Sequence, residues 1–210
     1  LKRKENDFDY VSNNQLKSVL FKGTSLENPA SGTIESISKI ELKDIKNFIN
    51  QTVCLENLII VAGGDYELAE FEKLVKPFLE TLSVGKKVDF ENINLISKKE
   101  EKTLVKDTQQ AYIYFGSSFN IDSKDEENYK AKVASFILGG SGFGSRLMEE
   151  IRVKRGLAYS AYGSISINKS HSYFNGYLQT KNESADEAKK LVCEIIENFV
   201  EVGVTQEELS

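Results

Sequence analysis

Two residues, Arg152 and Tyr159, have side chains that could bind a reacting carbonyl group. Arginine is always charged and offers several N–H donors, and the tyrosine hydroxyl is a directional donor. Together they suit the binding of a substrate carbonyl, or of an oxyanion that develops during a reaction. The alternative is a surface arginine beside a half-buried strand tyrosine, and the spacing of seven residues alone does not decide between the two.

The segment 138–160 contains the elements that must position this pair: a glycine-rich turn, a short charged helix, a second turn and the start of a strand. Ser145 can cap the helix, because a serine oxygen accepts hydrogen bonds from the free N–H groups of a first turn. Gly156 suits the left-handed position that ends a helix. We therefore expect Arg152 and Tyr159 to project into one space from either side of Gly156. The expected apolar stripe of the helix consists of Leu147, Ile151 and Val153, with Leu157 beyond it.

The glycines before this helix invite comparison with a phosphate-binding loop, since glycine loops at helix starts bind anions. The stretch follows a predicted helix rather than a strand. It also lacks the Lys-Ser/Thr ending of a phosphate loop and the downstream acid of a dinucleotide site. We interpret the glycines as residues that let a helix turn sharply into the next element. They are Gly139, Gly140, Gly142 and Gly144.

His171 is the only histidine in the sequence. A zinc site needs several N, S or O ligands held together, and a single histidine in a polar hairpin loop is expected to be solvated. The sequence offers no arrangement for a Ser-His-Asp or Cys-His site. Glu149 and Glu150 are adjacent on a helix, so they point to different faces and do not form an acid–base pair. The residues themselves predict no metal site and no complete catalytic site in this chain.

Composition excludes some partners. The 210 residues are 40% hydrophobic with a net charge of −5, which is ordinary for a globular protein and unsuited to nucleic acid. No apolar run approaches the roughly 20 residues of a membrane-spanning helix. The chain does not begin with Met and ends in a sequence typical of a helix start, so we interpret it as a piece of a longer polypeptide. Its compartment stays open between cytoplasm and periplasm.

The hydrophobic pattern predicts an α+β fold with an antiparallel or mixed sheet and helices packed on one face. Amphipathic spacing predicts helices within residues 1–22, 41–52, 67–82, 124–138 and 185–202. Apolar or alternating runs predict strands at 58–65, 109–119, 159–167 and 172–180, the last two joined by a hairpin loop. The polar, lysine-rich residues 83–107 are expected to form a linker with one edge strand.

Segment 139–160, GGSGFGSRLMEEIRVKRGLAYS, resembles a motif of the pitrilysin/insulinase zinc metallopeptidases, the group that includes mitochondrial processing peptidase. Three other stretches are similar to segments of that family: 20–49, 57–82 and TQEEL at 205–209. The similarities run in order along essentially the whole chain. Such collinearity is more specific than a single motif.

The resemblance implies a fold of duplicated α/β domains. In that family two halves, each of two similar domains, close around an unfolded peptide. The implied divisions are residues 1–85 as the back part of a first domain, 86–107 as a linker and 108–210 as the front part of a second, substrate-contacting domain. By the same resemblance Arg152 and Tyr159 approach the scissile peptide. The four glycines of the glycine-rich stretch border the chamber that the two halves enclose around that peptide.

The family's zinc lies elsewhere by this resemblance. Its inverted His-x-x-Glu-His helix is absent here, and its more distant glutamate would fall at or just before Leu1, with Glu5 as a lesser choice. Zn²⁺ would therefore belong to an active parent or partner, with no cofactor in this chain.

Three functions stay open at this point. The chain could form the peptide chamber wall of a zinc metalloendopeptidase, or belong to a catalytically inactive partner subunit that binds peptides. A free-standing α+β binding domain is the third. The implied partners are an unfolded peptide or protein substrate and a second homologous half or subunit, in a homo- or heterodimer. Any open sheet edges would pair with each other or with a second copy.

Overall fold

The computed structural model describes residues 2–89 and 91–210. Leu1 and Phe90, which fall in the predicted ranges 1–85 and 86–107, lie outside the described residues. The chain forms two compact units. Unit 1 comprises the segment that ends at Gly32 together with Asn92–Ser210, and unit 2 runs from Thr33 to Glu91.

Unit 1 is built on a three-stranded antiparallel sheet in the order β1-β3-β2. The alternating sequences of β2 and β3 suit strands with one buried face, and the two form the hairpin predicted from the sequence. Asn168 N–H closes the hairpin loop by donating to the His171 carbonyl at 2.9 Å. The strands are β1 Gln110–Ser118, β2 Ala158–Ile167 and β3 Ser172–Lys181.

The α-helices, in chain order, are α1 Phe8–Leu20, α2 Ile34–Ser38, α3 Leu42–Thr52, α4 Leu68–Leu79, α5 Asn128–Ser135, α6 Arg146–Met148 and α7 Ala185–Val202. Two π-helical segments continue α5 and α6; they are Phe136–Gly140 and Glu149–Val153. Short 3₁₀ turns lie at Lys2–Asn6, Ser25–Glu27, Leu55–Asn57 and Asn182–Ser184.

The core of unit 1 lies between one face of the sheet and the helices α6 and α7. Leu147 and Ile151 meet Leu178 of β3 and Ala188 of α7 there, all almost fully buried. Helix α1 contacts the opposite face of β1, where the Tyr114 hydroxyl donates to Asp9 Oδ1 at 2.8 Å. The predicted α+β class with an antiparallel sheet is confirmed.

Unit 2 contains the helices α2, α3 and α4 and has little buried apolar surface. Among its described residues only Cys54 is buried. Helix α3 exposes 65% of Phe48, and α4 exposes 77% of Leu74. Pro77 is accommodated inside α4 near its end. The amphipathic patterns therefore form helices, although no core covers their apolar faces within the described part of this unit.

Two predictions about strands are wrong. Residues 58–65 form no strand, and Ile59 and Val61 are 83% and 89% exposed. A strand needs a neighbour for its backbone N–H and C=O groups, and no neighbouring strand pairs with this run in the described residues of unit 2. The described part of 83–107 also lacks the expected edge strand.

Candidate functional site

Ser145 fixes the start of the helix that carries Arg152. Its Oγ accepts from Met148 N–H at 3.3 Å and donates to the Gly142 carbonyl at 2.8 Å, so the predicted cap is confirmed. Leu147 and Ile151 of the predicted stripe are fully buried. These contacts hold the first turns of the helix against the core.

A π turn then changes the direction of the side chains that follow. Lys154 N–H donates to the Glu149 carbonyl at 2.9 Å, five residues back instead of the four of an α-helix. The wider turn breaks the apolar spacing, and Val153, predicted to point inward, is 55% exposed. Arg152 stays partly exposed at the surface. Such π turns recur at functional sites in other proteins.

A bulge places Tyr159 on the same surface. Gly156 ends the helix at φ 63°, as the sequence predicted. In the ladder between β2 and β3, Ala158 faces Thr180 and Ser160 faces Gln179, so Tyr159 is the extra residue. A bulge of this kind re-aims a side chain. Tyr159 is accordingly 77% exposed at the start of β2.

Arg152 and Tyr159 are in direct contact. The guanidinium carbon Cζ of Arg152 lies 4.7 Å from the centroid of the Tyr159 ring, within the range of a cation–π interaction. The expectation that both residues project into one space is met by this contact. Their role toward a substrate stays a prediction.

Phe143 completes the group and was missed by the sequence reasoning. Its ring centroid lies 4.8 Å from Arg152 Cζ, and its side chain is 70% exposed. It stands between Gly142 and Gly144, whose φ angles of 69° and 95° favour glycine. The signal available in the sequence was a phenylalanine between two glycines. We call Phe143, Arg152 and Tyr159 the arginine–aromatic cluster.

The other cations of this segment have carboxylate partners. Lys154 and Arg155 each reach Glu150 at 2.6 Å, and these two hydrogen bonds lower the pKa of the Glu150 carboxyl. Arg146 pairs with Glu208. Within residues 2–89 and 91–210, the Arg152 side chain contacts the two rings and has no hydrogen bond or ion pair. Its N–H donors are therefore available to a ligand.

The predicted glycine-rich loop divides into two pairs. A Cβ at Gly139 would lie 2.5 Å from the Gly163 nitrogen of β2, and one at Gly140 would lie 3.3 Å from the Ser135 carbonyl oxygen. Gly139 therefore permits close packing of the π-helical segment on β2, whereas Gly140 lies against the backbone at the end of α5. Gly142 and Gly144 instead shape the turn that presents Phe143. A contact between any of the four and a substrate stays a prediction.

His171 lies in the β2–β3 hairpin loop, and its ring is partly buried instead of fully solvated. The ring contacts Phe21 edge-on at 5.1 Å and stacks on Tyr173 at 5.7 Å. Partial burial lowers the pKa of His171 by disfavouring its charged form. The histidine thus packs against the end of α1.

Neither a metal site nor a membrane helix emerges from the described residues. They contain no group of three or more His, Cys, Asp or Glu side chains that could hold a metal ion. The donor set therefore does not fit the zinc of the metallopeptidases that this chain resembles. No helix in residues 2–89 and 91–210 is long and apolar enough to cross a membrane.

The described chain is thus an α+β protein with an exposed arginine–aromatic cluster and no metal-binding group. Residues 39–210 match the sequence profile of the Peptidase M16 inactive domain. The chain belongs to the peptidase M16 family, and the resemblance to pitrilysin/insulinase metallopeptidases is confirmed.

Several known proteins are similar to this chain. Non-peptidase homolog YmxG of Helicobacter pylori is 44% identical over 209 residues, which cover 100% of this chain and 48% of that protein. An uncharacterized zinc protease of Streptomyces coelicolor is 26% identical over 91% of this chain and 43% of its own length. The crystal structure of a peptidase M16 inactive domain from Pseudomonas fluorescens superposes with a TM-score of 0.87 at 25% identity, covering 99% of this chain and 50% of that one. The chain thus spans about half the length of the relatives it matches.

Proposed function

We propose that this chain forms part of the wall of a peptide-binding chamber in an M16-family protein. Arg152 and Tyr159 bind main-chain carbonyl groups of an unfolded peptide there. The observation that carries the proposal is the exposed pair itself, with the guanidinium 4.7 Å from the tyrosine ring. Guanidinium N–H groups and a phenolic O–H suit the carbonyl-rich backbone of an extended peptide.

The unused donors of the pair support this role. Arg152 has no carboxylate partner among the described residues, and the Tyr159 hydroxyl has no hydrogen-bond partner there either. The N–H groups of a structural arginine normally donate hydrogen bonds to carboxylates or carbonyls of its own chain. A partly exposed arginine without such partners can donate to acceptors on a ligand.

The proposed organisation follows the family. Residues 1–85 are the back part of a first metallopeptidase-like domain, 86–107 are the linker and 108–210 are the front part of the second domain. Any zinc ligands belong to the rest of a longer parent or to a partner subunit. The doubled length of the relatives supports a second homologous half.

The apolar surface of unit 2 supports such a partner. The helices α3 and α4 expose Phe48 and Leu74, and the unpaired run 58–65 exposes Ile59 and Val61. Exposed apolar surface of this extent marks interaction sites in soluble proteins. We propose that a homologous half or subunit covers it, in a homo- or heterodimer.

A second candidate function is favoured by one relative. The H. pylori protein that is 44% identical carries the name non-peptidase homolog, which supports a catalytically inactive subunit that binds peptides beside an active zinc peptidase. The S. coelicolor relative, named a zinc protease, supports an active parent. Zinc content and peptidase activity of the longer protein, measured with and without a purified active M16 peptidase, decide between the two.

The test of the site itself is a binding titration. Fluorescein-labelled β-casein, an unfolded polypeptide, is titrated with the full chain and followed by fluorescence anisotropy. We expect Arg152→Gln to weaken binding about tenfold, because a charge-assisted hydrogen bond to the ligand is lost. Tyr159→Phe removes only the hydroxyl and is expected to weaken binding about threefold to tenfold.

The matched control is Arg155→Gln, which removes the same charge three residues further along the chain. Arg155 already pairs with Glu150, so this variant should bind as the native chain does. Equal losses of affinity in Arg152→Gln and Arg155→Gln would mean that the change in net charge, and not a contact of Arg152, weakens binding. Unchanged binding by Arg152→Gln would reject the proposed site.

A further inference from the structure

Phe143 is an exposed aromatic residue outside the core. Its side chain is 70% exposed, and its ring contact in the described structure is the one with the Arg152 guanidinium at 4.8 Å. The flanking glycines Gly142 and Gly144 have open space around them and left-handed φ angles. Burial of apolar surface therefore does not explain why a phenylalanine ring is held at this position.

The contact with Phe143 restricts the conformations of the Arg152 side chain. A free arginine side chain has many rotamers, and ordering it on binding costs conformational entropy. Two aromatic rings, at 4.7 and 4.8 Å from Cζ, attract the cation and restrict its orientation before a ligand arrives. With ring faces turned toward the guanidinium, the positions left to a ligand lie toward its N–H edges. Those edges select hydrogen-bond acceptors such as carbonyl or carboxylate oxygens.

We propose that Phe143 is a positioning residue for peptide binding: its ring, with that of Tyr159, holds the Arg152 guanidinium so that its N–H edge can donate to a carbonyl or carboxylate oxygen of an extended peptide. This inference rests on the proposed peptide-binding function. It adds a residue of the glycine-rich loop whose role is to act on Arg152 rather than on the peptide. The glycine-rich loop contributes to binding through this ring.

The first experiment uses the full chain and fluorescein-labelled β-casein. Phe143→Leu keeps an apolar side chain but removes the ring, and we expect it to weaken binding about fivefold. Phe143→Tyr retains the ring and should bind within about twofold of the native chain. Phe136→Leu is the matched control, because Phe136 is also exposed, at 61%, and has no ring contact in the described residues. It should leave binding unchanged.

A double-mutant cycle shows whether Phe143 acts through Arg152. If it does, Phe143→Leu has no further effect on binding once Arg152 is replaced by Gln. A loss that persists in the Arg152→Gln background would assign Phe143 a contact of its own and overturn the inference. Native affinity of Phe143→Leu, together with weakened binding by Arg152→Gln, would overturn the inference while leaving the proposed function intact.

A measurement without ligand tests the positioning role of Phe143 separately from the proposed peptide-binding function. Ring currents from the aromatic rings should shift the Arg152 side-chain signals in the NMR spectrum of the free chain, with Arg152→Gln providing the assignment. Phe143→Leu should move these signals toward their usual positions, and Phe136→Leu should not. Signals that do not respond to Phe143→Leu would overturn the positioning role, whatever the chain binds.

Discussion

Arg146 and Arg152 lie six residues apart on one helical segment, and their surroundings are opposite. Arg146 is 16% exposed and donates through Nη2 to Glu208 Oε2 at 2.7 Å and to the Gly203 carbonyl at 2.6 Å. Its guanidinium also lies over the Phe199 ring at 4.8 Å. Arg152 contacts rings in the same way but meets no oxygen acceptor among the described residues.

The comparison separates structural from functional use of one residue type. The Arg146 donors are occupied by the segment after α7, so this arginine joins residues 203–208 to the start of α6. The Arg152 donors are free because its neighbours in space offer π faces rather than oxygens. Occupancy of the donors cannot be read from residue type: the donors of Arg146 stabilise the fold, and those of Arg152 are left for the proposed ligand.

The largest expected effect is on the core beneath both arginines. Leu147 is fully buried, so Leu147→Ala should lower the free energy of unfolding by about 3 kcal/mol through lost contacts and a cavity. Near-UV circular dichroism in a urea titration reports on unit 1, which contains every tyrosine except Tyr66. Val153→Ala is the control; this side chain is 55% exposed and should cost less than about 0.5 kcal/mol. Equal costs would mean that Val153 packs in the core after all.

The next effect concerns the Arg146 ion pair. Glu208→Gln leaves Arg146 without its charged partner in a partly buried place, and should lower the free energy of unfolding by about 2 kcal/mol. Glu207→Gln changes the same charge on the neighbouring exposed residue and should be nearly neutral. β-Casein binding should be unchanged in both variants. A binding loss in Glu208→Gln with native Arg152 signals would contradict the division of roles.

The same pair predicts a pH dependence. Hydrogen bonds from Arg146 lower the pKa of Glu208 from 4.5 to about 2. Because the folded-state pKa is the lower one, the pair's contribution is fully present above about pH 4.5 and is lost as the pH falls toward 2. The stability difference between the native chain and Glu208→Gln should therefore be constant near neutral pH and shrink below pH 4.5. A stability difference that stays constant as the pH falls to about 2 would contradict the ion pair between Arg146 and Glu208.

Local signals allowed much of unit 1 to be predicted from the sequence. The Ser145 cap, the Gly156 stop and the hairpin between β2 and β3 depend on residues near one another in the chain, so short-range patterns identify them. The amphipathic helices α7 of unit 1 and α3 of unit 2 likewise follow from periodicity.

The errors lie where distant residues decide the outcome. The run 58–65 has the composition of a buried strand, but its pairing depends on a neighbour that no local pattern encodes. The π turn and the bulge at Tyr159 each shift the following side chains by one position. A prediction from periodicity assumes a constant residue spacing and misses such shifts. Phe143 meets Arg152 only because the glycine turn folds back on the helix. The chemistry of Arg152 and Tyr159 was therefore visible in the sequence, and the contact of Phe143 with Arg152 was not.

The smallest expected effect on stability completes the comparison with Arg146. Arg152→Gln removes a cation from two exposed rings and breaks no hydrogen bond, so the free energy of unfolding should change by less than about 0.5 kcal/mol. Urea titration followed by near-UV circular dichroism checks this value beside the binding titration. Arg146→Gln, the matched change at the other arginine, should show the reverse pattern, with lower stability and native β-casein affinity. If instead Arg152→Gln unfolds as easily as Arg146→Gln, the cluster stabilises the fold, and the weak binding of that variant could no longer be credited to a lost ligand contact.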